Sequence, residues 1–350
     1  MKAKKLMAMA LCGALVASMS VPAFAEGEKV GVSMPTKDLQ RWNQDGENMQ
    51  KMLEDAGYEV DLQYASNDVQ TQLSQVENMI SSGADVVVIA AIEGSSRGEA
   101  LQMAKENEIP VIAYDRLLMD SDAVSYYATF DNYMVGTVQG TYIKDALDLD
   151  NAEGPFNMEI TAGDPGDNNA GYFYQGAMDV LQPYIDEGKL VNPSGQIAFE
   201  DVATPQWKTE TAQSRAENIL SSNYTDKDVD VWLCSNDSTA LGVENALAAN
   251  YNGKYPIITG QDCDKENTKN MIDGKQSMSV FKDTRTLAKQ VVKMIGQQLN
   301  GVDVDVNDTE TYNNNVITVP SYLCEPVFAD ANNYKELLID SGYYTEEDLA

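Results

Sequence analysis

The stretch "SQVENMISSGADVVVIAA", residues 74–91, has a near-copy of its first half in "SRAENILSS", residues 214–222. In the first copy Val69, Leu73, Val76 and Ile80 mark one face of a helix that stops at Gly83, and the run "DVVVIAA" follows at once. A strand that is apolar at every position is covered on both faces, because a half-exposed strand would alternate, so the run reads as part of a parallel sheet between helices. The second copy leads in the same way to "VDVWLCSND", residues 229–237. A helix end and a buried strand that recur together predict two similar α/β domains in tandem.

The surrounding chain fits that reading. "VGVSM" at 30–34 is a strand, 39–56 a helix ended by Gly57, "VDLQY" a second strand, and Pro110 opens the strand "VIAYD". From about Asn132 the series repeats as a helix, the strand "FNMEITAG", a helix from Asn169, a strand at "GQIAFE", the helix with "SRAENILSS", the strand before Asp237, another helix and "PIITGQD". Each half therefore offers acids at corresponding strand ends, Glu93 and Asp115 in the first, Asp237 and Asp262 in the second. Ligands of open parallel sheets bind at the carboxyl ends of the strands, so the arrangement implies one ligand between two domains.

The lining suggests what kind of ligand. Ionised aspartates accept paired hydrogen bonds from hydroxyls, while arginine and lysine donate to oxygens through charge-assisted bonds. Asp115-Arg116 supplies both at one strand end, and Arg41-Trp42 sets a donor beside an aromatic plate, with Trp207 as a second plate. Indoles cover the C–H faces of a sugar ring, so the set is a carbohydrate pattern. Taken singly, each tryptophan reads as core packing and each aspartate as a helix cap; jointly they gather at one end of their strands.

Composition narrows the field. Lys2, Lys4 and Lys5, an apolar run from Leu6 to about Ala17 and Ala23-Phe24-Ala25 form a secretory signal peptide over residues 1–25, cleaved after Ala25 and too short to span a bilayer. Lipid anchoring at Cys12 is not expected, since Leu11 stands where a small residue is wanted. Removing those three lysines from the 24 basic residues leaves 21 against 55 acidic, a formal charge of −34, which disfavours nucleic acid as a partner. The chain has 0 histidines, which excludes Ser-His-Asp and Cys-His machinery and His-ligated metal. Cys234, Cys263 and Cys324 are odd in number and irregularly spaced, and read as buried free thiols with room for at most one bridge.

"RWNQDG", "YDR", "SYYATFDN", "DNNA", "TGQD", "FKDTR", "VNDTETY" and "SGYY" together resemble the periplasmic sugar-binding proteins of bacterial ABC importers, in the branch of xylose-binding and multiple-sugar-binding proteins. The resemblance covers essentially the whole mature chain. It implies a type I periplasmic-binding-protein fold, two doubly wound parallel-sheet domains joined by a three-stranded hinge that closes over one monosaccharide. The domains would be 26–131 with 283–317, and 132–282 with 318–350. Carried over residue by residue, the sugar contacts fall on Arg41, Trp42, Asp115, Arg116, Asn169, Trp207, Asp237, Asp262 and Lys282, with Asn168 an alternative to Asn169 and Glu93 an added acid. The crossovers would lie near 130–132, 280–283 and 315–320, with the helix bearing Leu287, Val291, Ile295 and Leu299 returning to the first domain and "ITVPSYL" leading to the second.

The implied partners are a monosaccharide of the xylose, glucose, galactose or arabinose class, the permease subunits of an ABC transporter, and a chemotaxis or sensor receptor as an additional reader. The protein would act as a periplasmic or extracellular monomer with no cofactor, no metal and no catalytic residue. Cys234, Asn236 and Cys263 depart from the family pattern beside Asp237 and Asp262, which leaves the preferred sugar open. Two other classes compete: a secreted carboxylate glycosidase using Asp115 and Asp262, or a binder of another small polar ligand. A glycosidase needs one acid with a raised pKa, whereas Arg116 and Lys282 would hold both ionised. A sugar-sensing transcription regulator would carry a basic helix-turn-helix where this chain has its leader.

Overall fold

The run Val86–Ile89, buried at all 4 positions, is the third strand of the first sheet in a computed structural model that describes residues 27–96 and 98–350. The leader over residues 1–25, Cys12 included, lies outside the described residues. The first domain runs β1 (Lys29–Met34), α1 (Gln40–Asp55), β2 (Glu59–Tyr64), α2 (Val69–Ser81), β3 (Val86–Ile89), α3 (Gly98–Glu106), β4 (Val111–Tyr114) and β5 (Val124–Phe130). The second follows as α4 (Asn132–Ala146), β6 (Phe156–Thr161), α5 (Asn168–Asp186), β7 (Leu190–Val191), α6 (Phe199–Val202), α7 (Thr209–Asn223), β8 (Val231–Cys234), α8 (Asp237–Asn250), β9 (Ile257–Ile258), α9 (Lys265–Ile272) and β10 (Ser279–Phe281). The chain then passes through α10 (Thr284–Leu299), β11 (Ser321–Cys324) and β12 (Val327–Ala329).

The first sheet is parallel throughout, in the order β2-β1-β3-β4-β5-β11. The second repeats the order as β7-β6-β8-β9, carried on by a parallel bridge from Gln261 to Val280 into β10, which pairs antiparallel with β12. Alternate residues of the central strands feed two separate cores: Val86, Val88, Ile112 and Tyr114 on one face, Val87, Ile89, Val111 and Ala113 on the other. Each valine or isoleucine among them contributes ~1.5–3 kcal/mol when fully buried, which is why the strands tolerate no polar alternation.

The two copies of the repeated helix are α2 and α7, and they occupy equivalent places between the second and third strands of their sheets. Val76, Met79 and Ile80 are buried in α2; Ala216, Ile219 and Leu220 are buried in α7 at the same positions of the repeat. α2 is capped by Asp68, which accepts from the Thr71 N–H at 2.6 Å, and it ends at Gly83, whose φ of +80° a side chain would resist.

Two expectations about elements are corrected. "GQIAFE" is not a strand: residues 195–198 are loop and Phe199 opens α6. The Tyr174 hydroxyl donates to the Ile197 carbonyl at 2.7 Å, satisfying a group that a sheet neighbour would otherwise have to meet. The third crossover does not lie at 315–320, and residues 318–324 do not join the second domain. β11 pairs in parallel with β5, Ser321 opposite Tyr127 through Cys324 opposite Phe130, so the exchange falls beyond Cys324. Pro320 splits the apolar run into two pieces, and its carbonyl accepts from the Tyr127 N–H at 3.0 Å, so the strand begins after the proline.

α10 packs Leu287, Val291 and Ile295 into the core of the first domain. The C-terminal residues pack Leu338 and Tyr344 against Cys263 and Phe281 of the second, and also reach the first. Gln40 and Gln44 of α1 donate to the Tyr344 hydroxyl at 2.7 and 3.2 Å, and the Tyr343 hydroxyl donates to Gln44 at 3.2 Å. Cys234, Cys263 and Cys324 are buried free thiols.

Candidate functional site

Two proline-initiated strands, β4 and β9, lead to aspartates at matching ends of the two sheets. Asp115 has φ +58° and Asp262 φ +101°, left-handed conformations that cost about 1–3 kcal/mol each and collect at functional sites. The backbone N–H of Asp115 donates to Ala128 at 2.8 Å and that of Asp262 to Val280 at 2.9 Å, so a neighbouring strand holds each bend. The two carboxylates line one cleft between the domains, in which the arrangement leaves a free volume of only about 30 Å³, about the share of one water molecule in the liquid.

One guanidinium joins them. Arg41, in the first turn of α1, places one terminal nitrogen 2.5 Å from Asp115 Oδ1, the other 3.2 Å from Asp262 Oδ1, and Nε 2.9 Å from Asp45 Oδ2. Lys282, at the hinge after β10, lies 3.2 Å from Asp262 Oδ1 and 3.9 Å from Asp115 Oδ1. Burial would raise the Asp115 carboxyl, but Arg41, Lys282 and Arg116 outweigh it and hold the group below the ordinary carboxylate range. Arg116 Nε lies 3.0 Å from Asp167 Oδ2 as an ion pair without hydrogen-bond alignment, and its terminal nitrogen donates to the Ala91 and Ile92 carbonyls at 3.0 and 3.3 Å.

The aromatic walls come from opposite domains. The Trp42 ring has the guanidinium carbons of Arg41 and Arg116 at 5.2 and 5.0 Å from its centroid, within cation–π range. The Trp207 indole lies on the main chain of Gly163, where an added Cβ would come within 1.9 Å of the ring. Its Nε1 donates to Asp167 Oδ2 at 3.3 Å, and Phe173 meets its ring edge-on at a centroid distance of 6.2 Å. Asn169, at the start of α5, donates to the Asp115 carbonyl at 2.6 Å and so ties the second domain to the first.

Of the residues singled out from the sequence, Arg41, Trp42, Asp115, Arg116, Asn169, Trp207, Asp262 and Lys282 line the cleft. Asp237, Asn168 and Glu93 do not. Asn236 is the extended N-cap of α8, with φ −149° and ψ 176°, and Asp237 is the first helical residue, so the backbone changes direction between them: Asn236 lines the cleft, and Asp237 turns inward. There Asp237 accepts from Gln276 Nε2 at 2.8 Å, Ser279 Oγ at 2.9 Å and the Asp264 N–H at 2.8 Å. Asn168 and Asn169 are adjacent on a helix, about 100° apart at 3.6 residues per turn, and only the second faces inward. Glu93 is exposed and accepts from Ser96 Oγ at 2.5 Å.

The cleft also holds Leu39, Asp167, Phe173, Asn236, Ser238, Gln261 and Asp264, none of which was among the expected sugar contacts, although Asn236 was noted as a departure from the family pattern beside Asp237. Asp167 and Asn236 carry helix-capping signals and do cap: Asp167 Oδ1 accepts from the Asn169 N–H at 3.0 Å, and Asn236 Oδ1 from the Thr239 N–H at 3.0 Å. In each case the capping role accounts locally for the residue, and nothing in the local sequence signals its place in the cleft.

Several carboxyls are costly to ionise in this fold. Burial is the main cause in each case; it raises Asp45 to about 6 and Glu244 to about 8, and it raises Asp237 as well. A carboxyl whose folded pKa is raised contributes stability that is complete below its unfolded value and is lost as pH rises through the folded one. Asp115, lowered, acts oppositely, and its contribution is lost as pH falls through its folded pKa. The thermal midpoint of the sugar-free protein is therefore expected to stand higher at about pH 5.5 than at about pH 8.5. An equal or lower midpoint at the acidic value in a calorimetric scan would contradict this account.

A family model described as periplasmic binding protein domain matches residues 30–303. The chain is 48% identical over 339 residues to the multiple sugar-binding periplasmic receptor ChvE of Rhizobium radiobacter, covering 95% of this chain and 96% of that protein. It is 34% identical over 349 residues to the D-xylose-binding periplasmic protein of Escherichia coli, covering 100% of each. The crystal structure of an ABC transporter solute-binding protein from Clostridium phytofermentans with bound β-D-glucose shares 69% sequence identity and a TM-score of 0.91, covering 92% of this chain and 100% of that one.

Proposed function

Because this chain belongs to the periplasmic binding protein family, we propose that it captures a free monosaccharide of the xylose, glucose, galactose or arabinose class between its domains and delivers it to an ABC transporter. The observation that carries the reading is the meeting of Asp115 and Asp262, one from each domain, on the Arg41 guanidinium between the Trp42 and Trp207 walls. The acids accept from neighbouring hydroxyls, Lys282 and the arginines donate to ring and hydroxyl oxygens, and the indoles cover the C–H faces. A ligand held by groups of both sides binds the closed arrangement better and so shifts the equilibrium toward it. The relatives support the substrate class, one being described as a multiple sugar-binding receptor and another as a D-xylose-binding protein, with β-D-glucose bound in the crystal.

The protein works outside the cytoplasm, its leader cleaved after Ala25, as a monomer read by the permease and by a chemotaxis or sensor receptor. Catalysis is not part of this reading: a glycosidase acid must be held protonated, and Asp115 is held ionised by three cations. Titration calorimetry with D-xylose, D-glucose, D-galactose and L-arabinose is expected to give a Kd of about micromolar or tighter, a free energy near −8 kcal/mol, with no product formed. No heat with any of the four, beside clear binding of an amino acid or nucleoside, would sink the reading.

A further inference from the structure

We propose that Asp45 and Tyr114 form a positioning pair that keeps the Arg41 guanidinium shared between Asp115 and Asp262, an inference that rests on the sugar-binding reading of the cleft. Asp45 stands one helical turn beyond Arg41 on α1, is fully buried, and does not line the cleft. Its Oδ2 accepts from Arg41 Nε at 2.9 Å and its Oδ1 from the Tyr114 hydroxyl at 2.5 Å. Tyr114 is the last residue of β4 and immediately precedes Asp115. The pair thus fastens the rear edge of the guanidinium to the same strand end that supplies the first acid.

The consequence lies in what Arg41 does with its remaining nitrogens. Guanidinium and carboxylate pair most strongly in bidentate fashion, two nitrogens on two oxygens. Here each acid receives one nitrogen of Arg41, and both Asp115 and Asp262 turn Oδ1 to Arg41 and Lys282, with their Oδ2 atoms outside these four ion pairs. With Nε committed to Asp45, the guanidinium cannot swing to embrace one acid at the expense of the other. Each acid keeps an oxygen for a ligand hydroxyl, and the charge stays divided between the domains. Asp45 is a positioning residue, acting through Arg41.

The test is calorimetric titration with D-glucose and D-xylose, with thermal midpoints of the sugar-free proteins measured alongside. Asp45→Ala, which frees the rear edge, is expected to bind about tenfold or more weakly, and Asp45→Asn, which keeps an acceptor oxygen for Nε, to stay within about threefold of the native protein. Tyr114→Phe is expected to fall between the two. Native affinity in Asp45→Ala overturns the proposal, and so does an Asn variant as weak as the Ala variant, since the effect would then be one of charge and not of orientation. Should Asp45→Ala lose its cooperative transition, Tyr114→Phe decides: native affinity there overturns the pairing. A native protein that binds neither sugar overturns the functional reading itself, which separates that failure from this one.

Discussion

Replacing Asp262 with alanine is expected to weaken monosaccharide binding about a hundredfold or more, ~3 kcal/mol, on the scale of charge-assisted hydrogen bonds lost from a buried site. The same change removes the second domain's hold on Arg41 at 3.2 Å and on Lys282 at 3.2 Å. Two domains that share a formal charge near −34 once the leader is removed repel one another, and the ligand bridging them offsets that repulsion. Small-angle scattering of the native protein should show a smaller radius of gyration at saturating sugar. The Asp262→Ala variant should lose most of that change while each domain stays folded. A native radius indifferent to sugar, or a variant with native affinity, would refute a site built from both sides.

The second large effect concerns the indoles. Trp207→Ala and Trp42→Ala are each expected to cost ~1–3 kcal/mol of sugar affinity through lost stacking area. Their stability costs should differ. Trp42 belongs to the main core of the first domain, with Met49, Leu53 and Tyr114, whereas Trp207 belongs to a small satellite cluster with Phe173 and Met278. Trp42→Ala should therefore lower the thermal midpoint along with the affinity, and Trp207→Ala should act mainly on affinity. Calorimetry of both variants, with and without sugar, checks the split. Undiminished affinity in either would assign that tryptophan to packing alone.

What the sequence made legible follows from the range of the physics involved. Buried strands and capped helices are written in short windows, and the recurrence of α2 in α7 exposed the tandem architecture without any distance information. Strand-end acids were legible for the same reason, since Asp115 and Asp262 each close a proline-initiated run. Register was the harder matter. Asn236 and Asp237 differ by one position where the chain passes from extended N-cap to helix, which is enough to leave the first in the cleft and turn the second into a network with Gln276 and Ser279. Asp167 was hidden because its capping of α5 accounts locally for its presence, while its contact with Arg116 is made across the cleft and that with Trp207 comes from 40 residues further along the chain. β11 was assigned to the wrong sheet because its partner β5 lies far back along the chain, and no local pattern names a partner.

The last residues of the chain bear on how much sugar the protein needs. Tyr343 and Tyr344 bind Gln40 and Gln44 across the domain boundary, and the Lys265 N–H adds a bond to Gln40 at 3.1 Å. None of these groups lines the cleft. For a protein that must close to bind, the apparent Kd is the intrinsic Kd divided by the fraction already competent, so bonds that exist only when the domains meet lower the apparent Kd without touching the ligand. The C-terminus is in that sense a dial on the dose response, and a tag or truncation placed there would move the half-saturating sugar concentration while leaving the choice among sugars unchanged.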